Sequence, residues 1–253
     1  MYMNMNFPIF SILVLVLLVV ASPCHCQDGY VCTRATYYGS PECPGNPHGA
    51  CGYGEYATIV NDGLTAGVSR LYKNGSGCGA CYQVRCTIPT HCSKEGTNIV
   101  VTDFAIGHYT DFVLNARAYA SLALPNMASE LIAYGVIDVE YRRIPCKYSY
   151  NLKLKVHERS SFPSYIAIFP IYQAGFYDIV AAQVWLEDCK EWRDMRRVFG
   201  TVWDMENPPR GALTIRIQVV SAINGEVKWV QLVGVIPTEW KAGLAYDTAI
   251  QFD

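Results

Sequence analysis

The sequence predicts an all-β-dominated chain of two domains, a barrel followed by an antiparallel sandwich, and three observations predict it. Up to about residue 147, glycine-rich turns alternate with short apolar runs such as "NIVVTDF" and "GVIDVEYRRIP", the pattern of barrel strands. From about Asn151 the texture changes: "SYIAIFPIY", "YDIVAAQVWL", "LTIRIQVVS" and "WVQLVGVIP" are period-two or continuous apolar runs with no helical periodicity. Separated by "QAGF", "ENPPRG" and "AINGE", they read as strands of a small antiparallel sandwich. The cysteines also segregate. Of those after residue 26, eight (32, 43, 51, 78, 81, 86, 92 and 146) precede residue 147 and one, Cys189, follows it.

Ahead of the barrel, "IFSILVLVLLVVA" at 9–21 is too short to span a membrane comfortably and fits the apolar region of a secretory leader. Residues 2–8 carry no Lys or Arg, an imperfect fit, and the expected cut lies just before Gln27. No later stretch approaches 18 apolar residues, so the remainder is expected to be soluble and exported. The expected organisation is a leader over 1–26, a barrel over 27–147, a short linker over 148–157, a sandwich over 158–246 and a tail over 247–253.

In an exported chain the cysteines read as disulfides. "CGAC" at 78–81 has zinc-ligand spacing with Cys86, His91 and Cys92 nearby, but the Cys-x2-Cys unit is not repeated. No metal is expected. Cys189, in "LEDCKEW", is either a buried inert thiol or a free one. Within the barrel a short helix is predicted from the N-cap Asn115 through "ARAYASLA", and another over "ASELIAY". "KNGS" makes Asn74 an N-glycosylation acceptor on an exposed turn.

The leader carries no charged residue, so the rest keeps the net charge of −2; residues 27–147 hold 9 basic and 10 acidic residues, and 148–253 hold 11 and 12. Neither half is basic, which argues against nucleic acid or an anionic membrane as the main partner. Eighteen tyrosines and five tryptophans against 17% charge suit an uncharged, hydroxyl-rich ligand such as a polysaccharide.

An ordered series of motifs resembles the plant expansin family. "RATYYGS" (34–40), "GACGYG" (49–54), "NGSGCGACYQVRC" (74–86), "VVTDF" (100–104) and "VEYRRIPC" (139–146) resemble its first domain; "FGTVWDMENP" (199–208) and "VIPTEWKAG" (235–243) resemble its second. Cys32 and Cys43, the ending "VEYRRIPC" and the altered region around Asp111 point to the expansin-like B subfamily. The resemblance implies a six-stranded double-psi β-barrel related to family 45 endoglucanases, then a β-sandwich resembling a carbohydrate-binding module. It implies the disulfides Cys51–Cys78, Cys81–Cys146 and Cys86–Cys92; Cys32–Cys43 follows by elimination. It implies no cofactor, and as partner a cell-wall polysaccharide, cellulose or a matrix glycan, bound by a monomer.

Asp103 and Asp111, eight positions apart, raise the question of a catalytic pair. Glycoside hydrolysis ordinarily needs a protonated carboxyl acid and a second carboxylate flanking the bond. In the related endoglucanases the base ends a Tyr-Trp-Asp-like motif; the matching "ATYYG" has Gly39 there. The acid is the Asp of "HFDLS"; the matching "FVLN" places Val113 there. Both catalytic positions are therefore empty, and Asp111 substitutes only if its loop is rebuilt. The expectation is a non-enzymatic protein that loosens non-covalent wall contacts, with a binding-only protein or a weak endoglucanase using Asp103 and Asp111 as alternatives.

For binding, the resemblance puts Thr36, Tyr38 and Asp103 in the groove, with Asp111 beside them. The bland readings are barrel-strand residues for Thr36 and Tyr38, a strand-end aspartate accepting backbone N–H groups for Asp103, and a solvated loop residue for Asp111. In the second domain Trp203 of "GTVWD" matches a family aromatic on a flat face and is the expected stacking residue. Tyr165 shares a strand face with Ala167 and Phe169, and that face is the second candidate platform. Trp192 and Trp240 read as structural, and His48, His91 and His108 as loop residues.

Overall fold

In the computed structural model, residues 26, 29–43, 45–107 and 110–253 are described; the leader expected over 1–26, apart from Cys26, and His108 lie outside them. The first half contains β1 (Val31–Tyr38), α1 (Tyr56–Ile59), β2 (Thr65–Val68), β3 (Cys81–Cys86), β4 (Thr97–Phe104), β5 (Phe112–Asn115), α2 (Ala116–Ala120), α3 (Ala128–Ala133) and β6 (Ile137–Ile144). Its six strands close into a barrel in the order β1-β5-β2-β4-β3-β6. β1 and β5, and β2 and β4, pair in parallel; the other pairs are antiparallel.

Closure buries the β-branched and aromatic side chains that mark these strands. Ala66, Val68, Val84, Ile99, Val101, Phe112, Leu114 and Val139 are fully buried. Tyr82, Phe112 and Tyr141 form an edge-to-face trio with centroids 5.0–5.9 Å apart. The helix foreseen after Asn115 starts there, with the Asn115 side chain accepting from the Arg117 N–H at 2.9 Å. It delivers Tyr119, fully buried, onto Tyr37 at 4.8 Å.

Three disulfides are those the family resemblance implied: Cys51–Cys78, Cys81–Cys146 and Cys86–Cys92. Both "CGAC" cysteines are thus spent on disulfides. The fourth pairing is a correction, because Cys32 bonds to Cys26, not to Cys43, which is free and exposed. The reason is reach. Cys32 opens β1 and Cys43 is hydrogen-bonded to Ser40 beyond its other end. Six strand residues at about 3.3 Å each separate the two ends by about 20 Å, against the roughly 7 Å Cα separation a disulfide tolerates. Cys189 is free and exposed, which settles its two readings for the free thiol.

The second half contains β7 (Lys153–Val156), β8 (Tyr165–Ile171), β9 (Tyr177–Leu186), β10 (Glu191–Asp194), β11 (Arg196–Phe199), β12 (Val202–Glu206), β13 (Leu213–Ser221), β14 (Val227–Ile236) and β15 (Ala245–Asp247). They form two sheets, β11-β12-β8-β7-β15 and β10-β9-β13-β14. β13 alternates strictly, with Leu213, Ile215, Ile217 and Val219 buried between the sheets and Thr214, Arg216, Gln218 and Val220 facing out. Two expected boundaries move. Residues 153–156, read as linker, are β7, paired with β8 and β15. The stretch read as a tail docks: Phe252 is buried, and the Ile250 carbonyl accepts from the Leu152 N–H at 2.9 Å.

The two domains pack tightly through β8, which is buried on both faces. Ile166 and Ile168 enter the sandwich core, while Ala167, Phe169 and Ile171 join the core of the barrel. Tyr53 meets Phe169 edge-to-face at 6.2 Å, and the Tyr56 hydroxyl accepts from the Tyr172 N–H at 2.9 Å. Asp178 of β9, 6% exposed, accepts from Lys73 Nζ at 2.9 Å and Arg143 Nη2 at 3.0 Å. Backbones also touch: a Cβ on Gly75 would lie 2.1 Å from the Gly200 oxygen, so this crossing requires glycine.

Candidate functional site: an interdomain cleft

Where the barrel meets the β11-β12-β8 side of the sandwich, a cleft of about 570 Å³ opens. The barrel contributes the loop of Pro47, His48 and Gly49 with Gly52 and Glu55, and the sandwich contributes His157, Glu158, Arg159, Tyr165 and Phe199. Each wall has a local cause. The barrel loop is held by Asp103 at the end of β4: its Oδ1 accepts the N–H groups of Ala50 (2.6 Å) and Phe104 (2.8 Å), and its Oδ2 accepts Asn46 Nδ2 (3.1 Å). Gly49 passes so close that a Cβ would fall 2.6 Å from the Thr102 carbonyl oxygen. On the opposite wall Phe199 is 45% exposed and rests over Gly52, where a Cβ would lie 2.6 Å from its ring. At the barrel rim Tyr72 packs on Phe104 at 5.2 Å, and its hydroxyl donates to the Ala50 carbonyl.

The electrostatics of the wall are mixed. Burial pushes the His157 imidazole down from its ordinary value, so the ring is uncharged near neutrality. Glu158 is held below the usual carboxylate range by Lys155, against the opposing effect of its burial.

The structure distributes the sequence-predicted residues unevenly. Tyr165 lines the cleft, half-buried, with its hydroxyl donating to Asp204 Oδ2 at 2.9 Å; Arg196 clasps the same carboxylate. Asp103 anchors the cleft loop through its backbone contacts. Thr36 donates to the Gly135 carbonyl at 2.9 Å. Tyr38 is partly buried beside Thr65, Asn115 and Asp103, its phenol pushed up by burial, and its hydroxyl makes no aligned hydrogen bond among the described residues. Asn74 is exposed with φ 53°, a turn open to modification.

Asp111 is not the solvated loop residue it resembles. It accepts from Arg70 at both oxygens (3.1 and 2.5 Å), from Thr33 Oγ1 (2.7 Å) and from Ser69 Oγ (3.2 Å). The Arg70 hydrogen bonds hold its carboxyl below the usual range. Val113 sits in β5, paired with Thr36 and Gly67, and Gly39 has φ 74° at the end of β1.

The platform residues need correction. Trp203 is 5% exposed and belongs to the sandwich core. It pairs with Ile168, which faces the same core, and the Arg197 guanidinium covers its ring at 4.0 Å. Its flat face is closed to a ligand. The Ala167–Phe169 face of β8 is likewise spent on the domain interface. Tyr165 of that strand does reach the cleft, and a second aromatic that faces it, Phe199, was missed. The available signal was the turn: Gly200 and Thr201 reverse the chain so that Phe199 pairs with Val202, not Trp203, and Val202 packs against the barrel.

Comparison with known proteins fits this architecture. A profile described as an expansin C-terminal domain matches residues 152–237, and one described as a lytic transglycolase matches 64–141. Together they define a double-psi barrel joined to an expansin-type sandwich. Across 94% of this chain and 96% of the relative, the sequence is 52% identical to an expansin-like B1 of Arabidopsis thaliana, and 38% identical to an expansin-like A2 of that plant over 95% and 91%. At 34% identity over 88% of this chain and 84% of the relative it also matches an expansin-B1 of Zea mays. The chain belongs to the expansin family. Its fold is shared by the solved Clavibacter michiganensis expansin, at TM-score 0.65 and 19% identity over 88% of this chain and 98% of that one. A point variant of that protein has been solved in complex with cellohexaose.

Proposed function

We propose that this protein is an exported plant cell-wall protein that binds wall polysaccharides along the interdomain cleft and loosens their non-covalent contacts without cutting them. The observation that carries the reading is the cleft itself. An aromatic wall at Phe199 and Tyr165 faces a loop held in place by Asp103, and the two domains are locked at fixed spacing by Asp178. Sugar rings present C–H faces that pack on aromatic planes, and a rigid cleft binds an extended chain with little ordering cost.

The absence of hydrolysis rests on the state of the carboxylates. A general acid must hold a proton at working pH, which requires a raised pKa. Asp111 is shifted in the opposite direction and all its lone pairs face Arg70, Thr33 and Ser69. Asp103 is occupied by two backbone N–H groups and Asn46. Gly39 and Val113 cannot serve as base and acid. Expansin-family proteins are generally non-hydrolytic, in agreement. Export is supported by the disulfides Cys51–Cys78, Cys81–Cys146 and Cys86–Cys92 and by the apolar leader. Pull-down on insoluble cellulose tests the binding: native protein is retained and Phe199→Ala is released, whereas equal retention of both refutes the cleft as the binding surface.

A further inference from the structure

The solvent face of the β10-β9-β13-β14 sheet lies on the far side of the sandwich from the cleft. It carries Trp185, Trp192 and Trp229, three of the chain's five tryptophans. Registers put Trp192 opposite Trp185, Arg216 opposite both Gln183 and Gln231, and Trp229 opposite Gln218, so all seven share that face. The Arg216 guanidinium stands between two indoles, 4.3 Å from the Trp192 ring and 4.5 Å from the Trp229 ring. Its Nε donates to Gln183 Oε1 at 2.6 Å, and Gln183 Nε2 donates to Asp194 Oδ1 at 2.6 Å. Trp185 packs on Trp192 at 5.3 Å.

The outer face of an antiparallel sheet is ordinarily polar, and a solvent-facing aromatic patch marks an interaction site. The chemistry of this one is specific. The two terminal amino groups of Arg216 make no hydrogen bond or ion pair among the described residues, although the rim charges are paired, Glu187 with Lys190 and Glu191 with Arg193. A planar guanidinium held rigid by two rings and one amide, with its outer edge free, matches a carboxylate. Around it, Trp229 at 39% exposure offers ring surface, and Gln218 and Gln231 offer amides to hydroxyls. We propose that this face binds an acidic polysaccharide, with uronate carboxylates on Arg216 and sugar rings against Trp229.

The experiment is affinity electrophoresis of the whole protein in native gels containing polygalacturonate or a neutral mixed-linkage glucan, with cellulose pull-down in parallel. The chain carries a net charge of −2, so retardation by a polyanion is not expected from overall charge. The native protein should be retarded by polygalacturonate and not by the neutral glucan, less so as salt rises. Arg216→Gln should weaken the retardation about tenfold or more, the scale of a lost charged hydrogen bond. Arg216→Lys keeps the charge without the fork and should lose most of it too. Gln218→Glu, in register with Trp229 but outside the ring stack, should abolish it by repulsion. Cellulose binding should be unchanged in all three, and Phe199→Ala should leave the polygalacturonate response intact. If Arg216→Gln unfolds, Gln218→Glu decides alone. The proposal is overturned if the native protein is not retarded, if neutral glucan retards it equally, or if Gln218→Glu behaves as native.

Discussion

Asp111 and Arg70 form a two-point ion pair, Nε to Oδ1 at 3.1 Å and Nη2 to Oδ2 at 2.5 Å. That pairing takes the Asp111 carboxylate out of acid–base chemistry and makes it a joint between β1, the turn before Arg70 and β5. Its depressed pKa has a consequence for stability. The contribution is fully present above the ordinary aspartate value, about 4, and is lost as pH falls through the lower folded value. His157, shifted down by burial, acts in the same direction, because the unfolded chain takes up its proton first below about 6.5. Melting temperature measured from pH 7 to pH 3 should fall, and Asp111→Asn should flatten the fall at its acid end. An unchanged slope in that variant would place the acid sensitivity elsewhere.

Two aromatic residues four positions apart should respond oppositely. Trp203→Ala opens a cavity in the sandwich core and should cost about 3–5 kcal/mol of stability, seen as a large drop in denaturant midpoint. Phe199→Ala, at an exposed ring, should leave the midpoint within about 0.5 kcal/mol of native while weakening cellulose binding severalfold. Loss of cellulose binding by a fully folded Trp203→Ala protein, with Phe199→Ala unaffected, would reverse the assignment.

Alkylation of the unreduced purified protein, followed by mass spectrometry, should label Cys43 and Cys189 and none of the other described cysteines. Cys26 should appear in a peptide bridged to Cys32, which requires the mature N-terminus to lie upstream of Cys26. N-terminal sequencing that begins at Gln27 would remove Cys26 and defeat the pairing.

Asp178 should couple the domains. With two cations converging on one buried carboxylate, native protein should unfold in a single calorimetric transition. Asp178→Ala leaves Lys73 and Arg143 facing a gap and should split the transition in two; a single unshifted transition would show that apolar packing alone joins the domains.

The fold was legible because its signals are local. Asn115 announces a cap, alternation in "LTIRIQVVS" announces one buried face, and three disulfides follow family position. What was not legible depends on a second body. β8 and β12 are buried on both sides, so period-two alternation cannot tell the core face from the interface face, and Trp203 and the Phe169 face were both misplaced outward. Asp111 looked solvated because Arg70, Thr33 and Ser69 are brought to it only by barrel closure. The pairing of Cys32 with Cys43 failed for a reason the sequence did contain, since the extended run between them holds them apart.

Loosening without hydrolysis is tested most directly by extension of isolated plant wall strips under constant load, with purified native protein and a reducing-sugar assay on the same bath. The native protein should extend the strips faster than buffer does, Phe199→Ala should not, and no reducing ends should rise above the protein-free control. Steady sugar release by the native protein, abolished by Asp111→Asn, would contradict the non-hydrolytic reading.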